Sequence, residues 1–328
     1  MMKRRTLIGT GGLWVLGRSA FAQPARKVYR IGIFGVGPTS DYLGPEPESA
    51  SAKALLRALR ELGYVYGQHF VTEVRGAEGK PERYPTVAAE LVRLRPDVIV
   101  AAGPTLLALK HATSTIPIVM AAGHDPVADG LVQSLGHPGT NFTGVSRQVV
   151  ETTGKRLELL KELVPGAAAV AVLWDRGAIL SWQAAQAAAR SRQWKLLSLE
   201  IKDAGEIEAA FKRATDAHAG ALLVIQGEIA FAHRRRIAEL ATRRRLPAMY
   251  DLRPFVEAGG LISYSADLID NWRQAARFVD KILKGAKPAD LPVEQPTRFE
   301  LVINMKTATA LGVKIPQTLL LRADDVIR

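Results

Sequence analysis

Asp97-Val98-Ile99-Val100-Ala101-Ala102-Gly103-Pro104-Thr105 sets the reading of this chain. A short apolar run without polar alternation, closed by a Gly-Pro turn, describes a strand covered on both faces, and helical spacing resumes from Thr105 to Ala112. Outward from it the same unit recurs. On the N-terminal side lie a strand at Tyr29–Phe34, a helix at Ser49–Leu62 and a second strand at Phe70–Val74, followed by a helix from Pro81 to Leu94. In the first of these helices Ala52, Leu55, Leu56, Leu59 and Leu62 fall at helical spacing, and Gly63 supplies the stop. A fourth strand follows at Ile116–Ala121. Strands alternating with crossover helices imply an α/β fold with a doubly wound parallel sheet.

The pattern then starts again. Ala169–Trp174, Leu196–Ile201, Ala221–Ile225 and Leu246–Tyr250 read as strands, separated by helices at Ser181–Gln193, Ala204–Thr215 and Glu228–Arg245. Ile116-Pro117-Ile118-Val119-Met120 answers Leu246-Pro247-Ala248-Met249-Tyr250. Each leads to a further short strand, Asn141–Ser146 or Leu261–Ser265, and then to an amphipathic helix, Lys155–Val164 or Asp267–Leu283. Two similar lobes are the simplest account; one large mixed sheet is the alternative. With matching lobes, the helices after the fifth strands exchange sides and the tail through Leu301-Val302-Ile303 crosses once more, which makes a three-segment hinge. The expected division is 1–22 as a leader, 23–147 with 267–300 as the first lobe, and 148–266 with 301–328 as the second.

Length and composition agree with two ordinary globular units: 328 residues, 48% hydrophobic and 23% charged. The absence of cysteine excludes disulfides, thiolate metal sites, a cysteine nucleophile and a lipid anchor on cysteine. Forty-four basic against 32 acidic residues give a formal charge of +12. The first 22 residues hold Lys3, Arg4, Arg5, Arg18 and no acid. That basic start, the short apolar stretch Thr6–Leu16 and Ala20-Phe21-Ala22 before Gln23 describe an export signal cleaved near Ala22/Gln23. Both the general secretory and the twin-arginine routes stay open, the paired arginines and weak apolar stretch leaning to the second. The expected location is the periplasm.

Several chemistries find no support. There is no G-x-x-x-x-G-K-[ST], no G-x-S-x-G and no G-x-G-x-x-G spacing at Gly32, Gly35 and Gly37, and the six histidines form no i, i+4 pair. The expectation is a non-enzyme without cofactor or metal, monomeric. The run Arg234-Arg235-Arg236 with Arg243-Arg244-Arg245 reads as a solvated helix surface rather than a nucleic-acid site.

In open parallel sheets ligands lie beyond the carboxyl ends of the strands, and two facing lobes make one cleft from both sets of loops. The candidates there are Pro38 and Thr39, Gly103 and Thr105, His124 and Asp125, and Ser146 (followed by Arg147) from the first lobe. The second lobe offers Trp174 and Asp175, Gln226, Tyr250 and Asp251. Hydroxyls and helix N-termini suit a carboxylate, Asp125 or Asp175 an ammonium, and Trp174 with Tyr250 an apolar or cationic group. A small zwitterion fits this set.

Specific stretches carry a family resemblance. They are Arg60-Glu61-Leu62-Gly63-Tyr64-Val65-Tyr66-Gly67-Gln68, Ala77-Glu78-Gly79-Lys80-Pro81-Glu82-Arg83, Thr113-Ser114-Thr115-Ile116-Pro117-Ile118-Val119 and Asp125-Pro126-Val127. Toward the C-terminus follow Phe255-Val256-Glu257-Ala258-Gly259-Gly260-Leu261, Pro292-Val293-Glu294-Gln295-Pro296-Thr297 and Leu319-Leu320-Leu321-Arg322-Ala323-Asp324. Together they resemble a bacterial family of ABC-transporter substrate-binding proteins over nearly the whole chain after the leader. The resemblance implies the type 1 periplasmic-binding-protein fold and capture of a small amino-acid-like ligand, aromatic in the better-understood branch. It also implies delivery to an inner-membrane ABC permease with its ATPase. A periplasmic sensor of the same fold, signalling to a membrane receptor, is the alternative. Two departures bear on the ligand: Trp174-Asp175-Arg176 stands where the family often has Asn-Pro, and His124 where a small or hydroxylic residue is usual.

Overall fold

The computed structural model describes residues 27–328; the leader and its cleavage point lie outside them. Five parallel strands build the first sheet: β1 (Tyr29–Gly35), β2 (Phe70–Gly76), β3 (Val98–Ala102), β4 (Ile118–Gly123) and β5 (Phe142–Ser146), in the order β2-β1-β3-β4-β5. The second sheet holds β6 (Val170–Asp175), β7 (Leu196–Ile201), β8 (Ala221–Val224), β9 (Ala248–Tyr250), β10 (Ile262–Ala266), β11 (Phe299–Asn304) and β12 (Asp325–Ile327). Its order, β12-β11-β10-β9-β8-β6-β7, repeats the first sheet's winding and adds two strands at the β10 edge. The repeat extends to single hydrogen bonds. Proline cannot donate to a ladder, so β4 and β9 begin after Pro117 and Pro247, whose carbonyls accept the Ile99 and Leu222 amides at 2.9 Å.

The helices are α1 (Ala50–Glu61), α2 (Tyr84–Arg93), α3 (Thr105–Ala112), α4 (Val149–Leu163), α5 (Ile179–Ser191) and α6 (Glu206–Asp216). They continue as α7 (Glu228–Ala232), α8 (Arg234–Arg243), α9 (Arg253–Glu257), α10 (Leu268–Leu283), α11 (Met305–Leu311) and α12 (Gln317–Arg322). Each sheet is buried on both faces. In β3, Val98 and Val100 join the cluster under α1 and α10, while Ile99 and Ala101 join the one under α2 and α3. Likewise Val170 and Val172 of β6 face α4 and α5, and Ala171 and Leu173 face α6 and α8. Period-two alternation inside an apolar run thus feeds two cores at once.

Helices α4 and α10 change lobes. Leu157, Leu160 and Leu163 of α4 pack into the second lobe, and Trp272, Phe278 and Val279 of α10 into the first. The chain passes between the sheets at 147–148, at 267 and at 295–298. Before the last passage the chain pairs with β5: Glu294 donates its amide to Gly144 and accepts that of Ser146.

Three details differ from the sequence-based expectation. The second sheet is mixed, because β11 runs antiparallel to β10 with Ala266 opposite Phe299. The physical reason is where the chain returns: β10 leaves for the first lobe at the end where 298 re-enters, so the incoming strand must run the other way. The helix expected over 228–245 is two helices that meet at His233, and nothing in the local contacts explains the break. The helix expected from Lys155 begins six residues earlier, at Val149, behind Gln148 in a left-handed conformation (φ 50°). Among the described residues no helix is long and apolar enough to cross a membrane.

Candidate ligand-binding site

The carboxyl ends of both sheets face one another across a cavity of about 1000 Å³. From the first lobe come Gly103, Pro104 and Leu107 after β3, His124 and Asp129 after β4, and Arg147 after β5. The second lobe supplies Asp175, Arg176 and Gly177 after β6, Glu200, Ile201 and Lys202 at the end of β7, and Gln226, Gly227, Glu228 and Ile229 after β8. This is the place that the winding order reserves for ligands in doubly wound sheets.

Asp175 organises the second wall. Its Oδ1 accepts the Gly177 amide at 3.1 Å and its Oδ2 the Ile229 amide at 3.0 Å, so one carboxylate ties the turn after β6 to the start of α7. Burial raises its pKa, and these amides oppose the rise. Gly227 passes so close that a β-carbon there would stand 1.7 Å from Asp175 Oδ1. Beside it Glu228 has its pKa raised, first by burial and then by Asp175. Glu228 reaches across the cleft electrostatically as well: with burial, it helps push the Tyr84 hydroxyl in the first lobe up to about 12.

Arg147 joins the lobes. Its Nη1 donates to Gln226 Oε1 at 2.9 Å, a buried bond between the first crossing segment and the far wall. Behind it lies a group of charges removed from water. Arg156 of α4 donates through Nε to the Tyr264 carbonyl at 2.8 Å and through Nη1 to the Val149 carbonyl at 3.1 Å. Burial lowers its pKa to about 10. Asp251 Oδ2 accepts the Gln226 amide at 3.2 Å, and burial raises its pKa against the pull of Arg156 and Arg147. His124 sits against the same positive charges. Burial first, then Arg147 and Arg156, lower its pKa to about 3, and Nε2 is buried without a hydrogen-bond partner among the described residues.

The sequence-selected residues divide into three groups. Gly103, His124, Asp175 and Gln226 line the cavity. Ser146, Tyr250 and Asp251 lie buried outside its lining, and Ser146 Oγ, Tyr250 OH and Asp251 Oδ1 have no hydrogen-bond partner among the described residues. The remaining five serve local structure. Thr105 is fully buried and donates to the Ala102 carbonyl at 3.1 Å. Asp125 Oδ1 accepts the Ala128 amide at 3.0 Å, and its neighbour Asp129 lines the cavity instead. Pro38 and Thr39 sit at the top of β1, where Thr39 Oγ1 accepts the Gly76 amide at 2.8 Å. Trp174 faces away from the cleft: it stacks on Trp182 at 5.6 Å and donates to Ser198 Oγ at 2.9 Å. Its place in the run Val170, Val172, Trp174 puts it on the α5 face of the sheet. Tyr250, stacked on Phe255 at 5.1 Å, also belongs to a core.

Sequence reasoning placed Arg147 and Arg176 at the strand ends of the cleft without giving them a ligand role, and did not reach Asp129, Lys202, Glu200 or Glu228. Their signal is weak, since charged residues after strands are ordinary on protein surfaces. For Arg147 the hint was its place, an arginine between a short strand and a lobe crossing.

Known proteins share this architecture and sequence. A curated tyrosine-binding protein of Clostridioides difficile is 25% identical over 266 residues, 80% of this chain and 76% of that protein. A crystal structure from Streptococcus pneumonia, described as an ABC domain in complex with L-Trp, superposes with a TM-score of 0.80 at 26% identity, covering 92% of this chain and all of that one. A conserved domain protein from Vibrio cholerae gives the same TM-score at 27% identity, again over 92% of this chain and all of that one. The family model described as ABC transporter substrate binding protein matches residues 47–327. The two repeated lobes, the cavity between their strand ends and this match over most of the sequence lead to one conclusion: the chain belongs to the ABC transporter substrate-binding protein family.

Proposed function

We propose that this protein captures a small amino-acid-like solute in the inter-lobe cavity, closes its lobes around it and presents the closed form to an inner-membrane ABC permease. The observation that carries this is the cavity itself, lined from both lobes at their strand ends and bridged by Arg147 and Gln226. An occupant there touches both walls, so it favours the approached lobes over the separated ones by its added contacts; that is a population shift. The relatives described as tyrosine-binding and as an L-Trp complex support an amino acid as the solute class. The basic leader ending in Ala20-Phe21-Ala22 supports a periplasmic site of action.

The chemistry of the walls suits binding rather than turnover. Asp175 is held by amides, and His124 is kept neutral among arginines, its Nε2 taking no proton from a hydroxyl among the described residues. Thermal unfolding of the purified protein against amino acids, aromatic acids and nucleosides tests the proposal. A solute at about 100 times its Kd adds roughly 2.7 kcal/mol. Stabilisation by an amino acid without its consumption is the expected result. No shift from any amino acid, or turnover of an added ester or amide, overturns it.

A further inference from the structure

Arg147 is only 6% exposed, yet its side chain lines the cavity. Its guanidinium makes one hydrogen bond, to Gln226, and no carboxylate stands within salt-bridge distance of it among the described residues. A guanidinium carries five donors, and those that Gln226 leaves free reach the cavity, where a partner can take them. The charges around it sharpen the point. Arg147 and Arg156 are both buried, and Asp251 is the buried carboxylate that acts on both. His124, after β4, is neutral. Asp129 also acts on Arg147, but it is half-buried at the cavity's edge and shares its field with Lys110. Two buried arginines thus share one buried carboxylate, and Arg147 is the one that lines the cavity.

We propose that Arg147 anchors the carboxylate of the bound solute. This rests on the solute-binding role proposed above and adds to it the ligand's obligatory functional group and the residue that reads it. A planar guanidinium with donors left free matches one carboxylate. A phosphate dianion would bring a second negative charge to a lining that already holds four acids, Asp129, Asp175, Glu200 and Glu228, against three bases, Arg147, Arg176 and Lys202. The carboxylate takes the free guanidinium donors while Nη1 keeps Gln226, so the anion is held where the first crossing segment touches the opposite lobe. The solute's amine then lies toward Asp175 and Glu228. Pro104, Leu107, Ile201 and Ile229 give its side chain aliphatic walls.

The test compares each acid with its uncharged carboxamide: L-tyrosine, L-tryptophan and L-leucine against their amides, by titration calorimetry on the wild-type protein and on Arg147→Met and Arg147→Lys. The expected result is that at least one acid binds wild type, and that its amide binds weaker by on the order of 10- to 100-fold. Arg147→Met should lose a similar factor for the acid and little for the amide, with Arg147→Lys between. Equal binding of acid and amide by wild type overturns the anchor while leaving the solute-binding role standing, and it needs no variant to fold. Undiminished binding of the acid by Arg147→Met overturns it too. If wild type binds none of the six, the same comparison is made with the amino acid that stabilises it most in thermal unfolding, and stabilisation by none overturns the role and the anchor together.

Discussion

Gly227 carries no side chain, and Asp175 occupies the space where one would begin. With a β-carbon 1.7 Å from Asp175 Oδ1, Gly227→Ala must push the carboxylate off the amides of Gly177 and Ile229. A loss of about 1–3 kcal/mol is expected, the usual cost of overpacking, read as a lowered Tm. Gly177→Ala, whose β-carbon would meet the same oxygen at 3.3 Å, should cost clearly less. His124 makes a prediction of the opposite kind, in pH. Its folded pKa near 3 lies below the ordinary value of 6.5. The unfolded chain therefore binds a proton that the native state refuses. Its contribution is complete above about pH 6.5 and is lost as pH falls toward 3, with a slope of up to about 1.4 kcal/mol per pH unit. His124→Gln should flatten stability over that window, measured by denaturant unfolding at several pH values. An unchanged profile would place the ring in contact with water.

Strand β6 shows how much of the site an element reveals. Its sequence identifies a buried strand, and its alternation already separates Trp174, in step with Val170 and Val172, from Asp175 at the strand end. Position after a strand selected both for the cleft; the period of two sends only Asp175 there. Trp174→Ala removes a ring stacked on Trp182 and leaves Ser198 without its donor. A loss of about 3–5 kcal/mol in stability is expected, while affinity for a stabilising amino acid should stay within about threefold of wild type at temperatures where the variant is folded. A loss of affinity far beyond that would return Trp174 to the site. The exchange of α4 and α10 was legible because the helices follow matching fifth strands. The direction of β11 was not, since it depends on where the chain re-enters the lobe, and pattern alone carries no direction.

At the scale of the molecule, the repeat made the architecture readable: two windings in the order 2-1-3-4-5 must point their strand ends somewhere, and the crossings turn them toward each other. The pairing of Arg147 with Gln226 was hidden, being a contact between residues 79 apart on different lobes. The lack of cysteine gives a clean means of following that meeting. Thr86 on α2 and Glu208 on α6 are exposed, one in each lobe, and Thr86→Cys with Glu208→Cys places one spin label on each. The most direct measurement is the distance distribution between these labels with and without the amino acid that stabilises the protein most. Capture between the lobes predicts that the ligand narrows the distribution and shifts it to a shorter distance. Identical distributions at saturating ligand would contradict it, because the solute would then be held without drawing the two lobes together.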